Sequence, residues 1–226
     1  YGGHLDINYE MDNGYTLKSI TGYRDTDAVY SNRTDYAPVD VVSIDYADKY
    51  NQFSEEIQFI SPDDQDFTYM VGLYYYSQKG QTRRDVVLGQ DFIDVFVGGL
   101  YNSGALTPPL PPAPALPLSL VSNLIGFGPP GSKVFNDGTV NTKSYAAYFN
   151  GAYQVTDKLK LGIGLRYSIE DKDVNWLLDG RNSGVFFIGS TGSDPANPSP
   201  LVNDRQDKFF APALSIMYAI NDDANV

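Results

Sequence analysis

Long stretches in which apolar and polar residues alternate constrain the fold of this chain more than any other feature. The clearest lies at residues 159–170, where Leu, Ile or Tyr occupies every second position and Lys, Gly, Arg, Ser or Glu fills the others. Successive side chains of a β-strand point to opposite faces, so a period of two predicts a strand with one apolar face. Similar stretches occur at residues 4–11, 15–25, 53–61, 67–76, 145–154 and 211–220. The sequence therefore predicts an all-β chain.

Several of these stretches are ten or more residues long. A strand of a soluble protein usually has about 5–6 residues, whereas a tilted strand that crosses a bilayer needs about 9–11. The lengths therefore favour a segment of an antiparallel transmembrane β-barrel, with about 7–8 long strands, over a soluble β-sandwich.

The connections between the stretches alternate strictly between short and long. Short turns are predicted at 12–14, 62–66, 156–158 and 221–223, and long loops at 26–49, 81–141 and 171–206. Transmembrane barrels show this asymmetry, with short periplasmic turns and longer extracellular loops. Tyrosines near the strand ends suit the aromatic girdles of such barrels; these are Tyr23, Tyr74, Tyr75, Tyr76, Tyr145, Tyr148, Tyr153, Tyr167 and Tyr218. Ordinary cross-strand pairing of aromatic residues is the alternative for each one alone.

Composition excludes several functions. The chain has no cysteine and one histidine, which excludes thiol chemistry and multi-histidine metal sites. Its net charge of −12 comes without a basic cluster, so nucleic acid is not expected as a partner. His4 could act as a catalytic base only beside a nucleophile, and the sequence has no G-x-S-x-G nucleophile motif. The acidic clusters lie in predicted turns, where Asp is common without binding a metal. We predict no enzyme activity, no catalytic or metal site, and no cofactor.

The two ends of the sequence suggest a piece of a longer protein. Residue 1 is Tyr, no signal-peptide pattern follows, and residues 221–226 read as a turn that leads into another element. We expect residues 1–226 to be a partial β-barrel domain without a plug domain or a signal peptide.

Several segments resemble TonB-dependent outer-membrane receptors. The hairpin formed by residues 53–62 (FSEEIQFISP) and 67–75 (FTYMVGLYY) carries this resemblance, as do the preceding strand at 17–24 (LKSITGYR) and a later hairpin at 144–148, 155–159 and 164–167. The resemblance implies a plugged barrel of about 22 strands. It also implies a bacterial outer-membrane location, contact with outer-membrane lipid, and active uptake of a scarce small-molecule or metal-chelate ligand. Ligands of the family are ferric siderophores, haem, cobalamin and oligosaccharides, and TonB would act through regions outside this chain.

Two other functions stay open at this stage. One is a passive porin-like outer-membrane channel, which a missing plug domain would favour. The other is a secreted soluble β-sandwich that binds glycans, which would fold in water without lipid.

The best candidates for ligand binding are polar-face residues near the long-loop ends of two strands. They are Tyr74, Tyr76 and Gln78 on one strand and Arg166, Ser168 and Glu170 on another. Tyrosine and arginine can stack on or hydrogen-bond to a sugar or a chelate. The alternative is that these residues only brace the barrel wall. The loop at 81–141, rich in proline and apolar residues, either covers the barrel mouth and contacts ligand, or packs on neighbouring loops or a partner protein.

Overall fold

The chain forms, in a computed structural model, one antiparallel sheet whose strands follow the order of the sequence. The structure describes residues 1–34, 36, 38–105, 117–124, 126–181, 190–192, 194, 197–221 and 224–225. The strands are β1 (Gly2–Glu10), β2 (Thr16–Arg33), β3 (Val42–Ile60), β4 (Phe67–Leu88), β5 (Lys133–Thr156), β6 (Leu159–Asp179), β7 (Leu201–Asn221) and β8 (Ala224–Asn225). The prediction of an all-β fold with long antiparallel strands is thereby confirmed.

Three short turns connect the strands at one end of the sheet. In the first turn Gly14 adopts a positive φ of 83°, which a residue without a Cβ accepts at little cost. In the third, the Thr156 side-chain oxygen accepts a hydrogen bond from the Leu159 backbone N–H at 3.1 Å. The turns predicted at 12–14, 62–66 and 156–158 are therefore present. The turn predicted at 221–223 falls largely outside the described residues.

The three long loops are shorter than the sequence predicted, because the strands continue into them. β2 reaches Arg33 and β3 begins at Val42, so residues 26–33 and 42–49 of the first predicted loop are paired strand. β4, β5, β6 and β7 extend in the same way into the loops predicted at 81–141 and 171–206. Charged residues such as Asp27, Arg83 and Asp173 interrupt the apolar alternation in these extensions, although Val42, Val86 and Val134 remain apolar. Backbone pairing and ion pairs such as Lys49 to Asp27, at 3.2 Å, hold them.

The two faces of the sheet differ sharply in polarity. One row across the strands contains Val71, Phe149, Leu165 and Pro212, and the face that carries it is called the apolar face below. The adjoining row contains Gly72, Tyr148, Arg166 and Ala211, and its face is called the polar face. Large residues of the apolar face stay exposed, for example Leu73 at 59% and Leu214 at 84%. An exposed apolar surface of this extent marks a site of contact with a membrane or with another protein.

Aromatic rings on the apolar face form two groups. Near the short turns, Phe59 stacks on Tyr15 at 5.1 Å between ring centroids. Further along the strands, Tyr75 meets Tyr145 at 5.2 Å. The predicted girdle needs one correction: Tyr74, Tyr76 and Tyr148 lie on the polar face, because neighbouring residues of a strand point in opposite directions.

A helical segment lies between β4 and β5. A π-helical turn (Ile93–Val97) continues into α1 (Gly98–Asn102), and α2 (Leu118–Leu124) follows. Their side chains form a buried cluster with the strand ends; its members are Leu88, Phe92, Val97, Tyr101, Val121, Phe127 and Val134. Val42, Val86 and Leu178 pack against this cluster from their strands. Among the described residues, no helix is both long and apolar enough to cross a membrane.

The helices cover the polar face at the long-connection ends of the strands. Val86 pairs with Val134, and Leu88 pairs with Val42, on the same side of the sheet as Gly72 and Tyr148. The predicted loop at 81–141 thus folds onto this face where it is described. Residues 106–116 and 125 lie outside the described part.

Candidate functional site

The six residues predicted to bind ligand lie on successive rows of the polar face. Strand pairing places Tyr74 and Ser168 on either side of Ala146, and Tyr76 and Glu170 on either side of Ser144. Gln78 lies one row further out, and Arg166 one row further in. The two predicted sets are therefore separated by a single strand, β5, whose small residues leave space between them.

Contacts within this group are selective. The Arg166 guanidinium carbon lies 5.7 Å from the ring centroid of Tyr74, and its Nε donates a hydrogen bond to Ser168 Oγ at 3.1 Å. Tyr76 Oη donates to Gln78 Oε1 at 2.6 Å, which forms a separate pair. Glu170 is engaged by Lys172 at 2.6 Å. The structure thus brings Tyr74, Arg166 and Ser168 together and leaves the other three residues beside them.

Tyr148 is a central residue of this surface that the predicted site did not include. Its hydroxyl donates a hydrogen bond to the Glu56 carboxylate, which also accepts one from Gln58 Nε2 at 2.8 Å. The Arg166 guanidinium carbon lies 5.8 Å from the Tyr148 ring centroid. Tyr148 therefore connects β5 to β3, across β4, and lies beside the arginine of β6.

Glycine makes this arrangement possible. Gly72 faces Tyr148 across the β4–β5 pair, and a Cβ placed on Gly72 would collide with the tyrosine ring. The sequence held a partial signal, because alternation places Tyr148 on the polar face of its strand. The register that aligns it with Gly72 and directs its hydroxyl to Glu56 is not visible in the sequence.

A second cluster lies further towards the long-connection ends, on the same face. The rings of Tyr30 and Tyr46 stack at 4.5 Å with an interplanar angle of 5°, and the Arg84 guanidinium lies 4.7 Å above Tyr46. Two hydrogen bonds of 2.7 and 3.0 Å fix Arg84 to Asp48, which also accepts one from Thr82 at 2.7 Å. We name Tyr30, Tyr46, Arg84 and Asp48 the tyrosine–arginine stack.

Electrostatics keep this stack charged. The Arg84 guanidinium is the main cause of a lowered pKa of Asp48. The Thr82 hydroxyl also lowers this pKa, whereas partial burial raises it. Arg84 is 30% exposed and Asp48 13%. A guanidinium held over a tyrosine ring can bind a planar or anionic group with little loss of side-chain entropy.

The helical segment lies directly beyond the tyrosine–arginine stack. Tyr46 pairs with Arg84, and the next row on this face pairs Ile44 with Val86, which packs under the helices. The polar face thus presents, in order from the short turns, the Tyr148 cluster, the predicted six residues, the stack and the helical cover. Aromatic rings beside an arginine can bind a planar or anionic group.

Comparison with known proteins gives a consistent result. The family model described as "TonB dependent receptor-like, beta-barrel" matches residues 1–226. Among solved structures, the ferric yersiniabactin uptake receptor FyuA from Yersinia pestis is similar, with a TM-score of 0.63 and 14% sequence identity. The match covers 97% of this chain and 25% of that receptor, so the chain spans about a quarter of its length. No curated protein sequence matches the chain.

Proposed function

Because the chain belongs to the TonB-dependent receptor-like β-barrel family, we propose that it forms part of an outer-membrane receptor for active uptake of a scarce ligand. In this proposal the apolar face contacts the lipid of the outer membrane. The polar face lines the lumen, and the long connections face the cell exterior. TonB supplies energy through regions outside this chain. The proposed activity is transport without catalysis.

The observation that carries the proposal is the division of the long strands into an apolar and a polar face. The segment of β4 from Phe67 to Tyr75 has nine residues, which matches the 9–11 residues of a bilayer-crossing strand. The row with Val71 and Phe149 has no polar side chain, whereas the row with Tyr148 and Arg166 offers hydrogen bonds and charge. This polarity suits a wall between lipid and an aqueous lumen.

We place ligand contacts on the polar face, at Tyr74, Tyr76, Gln78, Arg166, Ser168 and Glu170, with Tyr148 and the tyrosine–arginine stack added. Stacked rings beside a fixed guanidinium suit a planar, anionic chelate. The similar receptor FyuA is named for the uptake of a ferric siderophore. A ferric siderophore is therefore the first ligand to test, followed by haem, cobalamin and oligosaccharides.

The structure gives less support to the soluble β-sandwich. A β-sandwich would cover the apolar face with a second sheet, and the described strands β1 to β7 form a single sheet with that face exposed. A passive channel has the same wall as an active receptor, so transport energetics must separate these two.

The experiment is an uptake assay on cells that express the full-length protein. Cells with and without functional TonB receive, in turn, radiolabelled ferric siderophores, haemin, cyanocobalamin and maltodextrins. The proposal predicts uptake of one of these that disappears without TonB, while binding to the cell surface persists. Uptake that continues unchanged without TonB would instead establish a passive channel.

A further inference from the structure

Among the described residues of β2 to β6, four large apolar side chains stay exposed on the polar face. They are Tyr30 (51%), Tyr50 (39%), Val140 (39%) and Trp176 (39%). Strand pairing places them on three successive rows, which begin one row beyond Gln78 on the long-connection side. We name these four residues the aromatic strip. Apolar side chains exposed together on an otherwise polar face mark a contact site.

Glycines make room for two of the rings. Gly80 of β4 pairs with Tyr50 of β3, and a Cβ built on Gly80 would lie 3.0 Å from the Tyr50 ring. Gly138 of β5 pairs with Trp176 of β6, and a Cβ built on Gly138 would lie 3.8 Å from the indole. Tyr50 and Trp176 therefore approach the two central strands from opposite sides, and Val140 lies between them. The glycines let both rings lie close to the sheet while part of each ring stays open to a ligand.

Two polar groups beside the strip already have partners. Trp176 Nε1 donates a hydrogen bond to Asn136 Oδ1, which fixes the indole. Thr82 Oγ1 donates to Asp48 Oδ1 at 2.7 Å. A sugar ring bound here would bury hydroxyls that find few free partners, which costs free energy. The face of an aromatic ring needs no such partners, so the strip suits an aromatic ring better than a sugar.

Charge does not select the occupant of the strip. Among the described residues on these three rows, the charged side chains are Arg84 and Asp48, and they pair with each other at 2.7 Å. Arg84 also lies 4.7 Å from the Tyr46 ring centroid, and a guanidinium stacks readily on aromatic groups. Ring stacking is therefore the interaction that this surface offers.

We propose that the aromatic strip is a binding subsite for an aromatic ring of the transported ligand. The ring stacks on Trp176 and Tyr50 and lies over Val140. The inference rests on the proposed function and names its substrate class: an iron chelate that carries aromatic rings. An aryl siderophore and haem share this chemistry, and the experiment distinguishes them.

The test measures equilibrium binding of iron-55 chelates to the full-length folded receptor in detergent. Ferric enterobactin, a catecholate, and haemin carry aromatic rings, whereas ferric citrate and ferrichrome do not. Ferric enterobactin and ferric citrate are both anionic, so a difference between them does not come from the presence of negative charge. We expect at least one aromatic probe to bind roughly tenfold or more tightly than ferric citrate and ferrichrome, and that probe identifies the source.

Variants of the strip test the role of the indole. Trp176→Ala should weaken binding of the preferred aromatic probe roughly tenfold, whereas Trp176→Phe, which keeps a ring, should weaken it about threefold or less. Tyr23→Ala is the matched control, because Tyr23 is 40% exposed but lies on the apolar face, opposite Phe53. It should leave binding unchanged. Each variant is first checked for heat-modifiable migration in gels, which reports a folded barrel.

Three results would overturn the inference. Ferric citrate or ferrichrome binding as tightly as both aromatic probes, or no binding of either aromatic probe, would remove the preference for a ring. Equal affinity of Trp176→Ala and the natural protein would exclude the indole from the site. Binding of radiolabelled maltohexaose that is lost in Trp176→Ala would assign the strip to a sugar.

These outcomes are distinct from a failure of the proposed function. The binding assay contains no TonB, so a passive channel and an active receptor give the same result in it. TonB-dependent uptake of ferrichrome would support active transport and would at the same time contradict an aromatic ligand for this strip.

Discussion

The ring of Tyr148 lies against the backbone of Gly72, and this contact lets the tyrosine hydroxyl reach Glu56 two strands away. A glycine in a strand interior normally weakens the strand, because it packs no side chain. Here the missing side chain creates the space for an aromatic ring that joins β3, β4 and β5. The polar face therefore has a fixed surface at the level where ligand contact is proposed.

Replacing Gly72 should disrupt this surface without unfolding the barrel. In Gly72→Val the new side chain occupies the position of the Tyr148 ring, so the hydrogen bond to Glu56 is lost. We expect ligand uptake by the full-length protein to fall at least about tenfold, because displacing a binding group by about 1 Å can have an effect of this size or larger. Gly164→Ala is the control, since its Cβ meets only the Asn150 side-chain oxygen, at 3.0 Å, and Ala213. Equal uptake by the two variants would contradict the role of Gly72.

Removing the Tyr148 hydroxyl should lower stability by a small amount. Tyr148→Phe keeps the ring over Gly72 and leaves Glu56 with the hydrogen bond from Gln58. Loss of one hydrogen bond to a partly buried carboxylate costs about 1–3 kcal/mol in the free energy of unfolding. Urea unfolding of the full-length barrel in lipid vesicles measures the change. Tyr145→Phe, on the apolar face, should change stability by less than Tyr148→Phe; the opposite order would refute the assignment.

The tyrosine–arginine stack should persist at mildly acidic pH. Arg84 lowers the pKa of Asp48, so the pair contributes its full stability above the ordinary carboxyl range, near pH 4. That contribution is lost only as the pH falls through the lower pKa of the folded state. Asp48 should therefore stay ionised between pH 7 and pH 5, and ligand affinity should not change through its protonation. Asp48→Asn should weaken binding already at pH 7, and equal affinity of this variant and the natural protein would exclude the stack from binding.

The helical segment should detach when its buried cluster is broken. Val121 in α2 is fully buried, whereas Leu124 of the same helix is 62% exposed. Val121→Asn places an amide in the apolar cluster and should make the helices at 93–102 and 118–124 sensitive to proteinase K in the folded barrel. Leu124→Asn should leave the digestion rate near that of the natural protein. Resistance of Val121→Asn would show that these helices do not depend on this cluster.

The sequence was most informative where one face of a strand is uniformly apolar. Alternation at residues 159–170 located β6 and separated Arg166 from Leu165. Tyr148 was predicted to belong to the aromatic girdle, whereas it lies on the polar face. The sequence was least informative at the long-connection ends of the strands, where charged residues such as Asp27 and Arg83 interrupt the alternation. There, strand pairing and ion pairs such as Asp45 to Lys133, at 2.9 Å, join neighbouring segments.

The site was predictable only in part, for a related reason. Alternation identifies the face on which Tyr74 and Arg166 lie, but their proximity depends on the register of β5 between them. The partners Glu56 and Gly72 follow from that register too. Tyr30 and Tyr46 both lay inside the loop predicted at 26–49, so the sequence did not predict that they pair across neighbouring strands and stack.

The most direct test of the account compares two adjacent residues of β6 in the full-length protein. Ser168 lies on the polar face and Tyr167 on the apolar face. Single cysteines are introduced as Ser168→Cys and Tyr167→Cys in a cysteine-free background, and intact cells are treated with a membrane-impermeant maleimide. The account predicts rapid labelling at position 168, slowed by the transported ligand, and little labelling at position 167. Labelling at position 167 that equals or exceeds labelling at position 168 would contradict it.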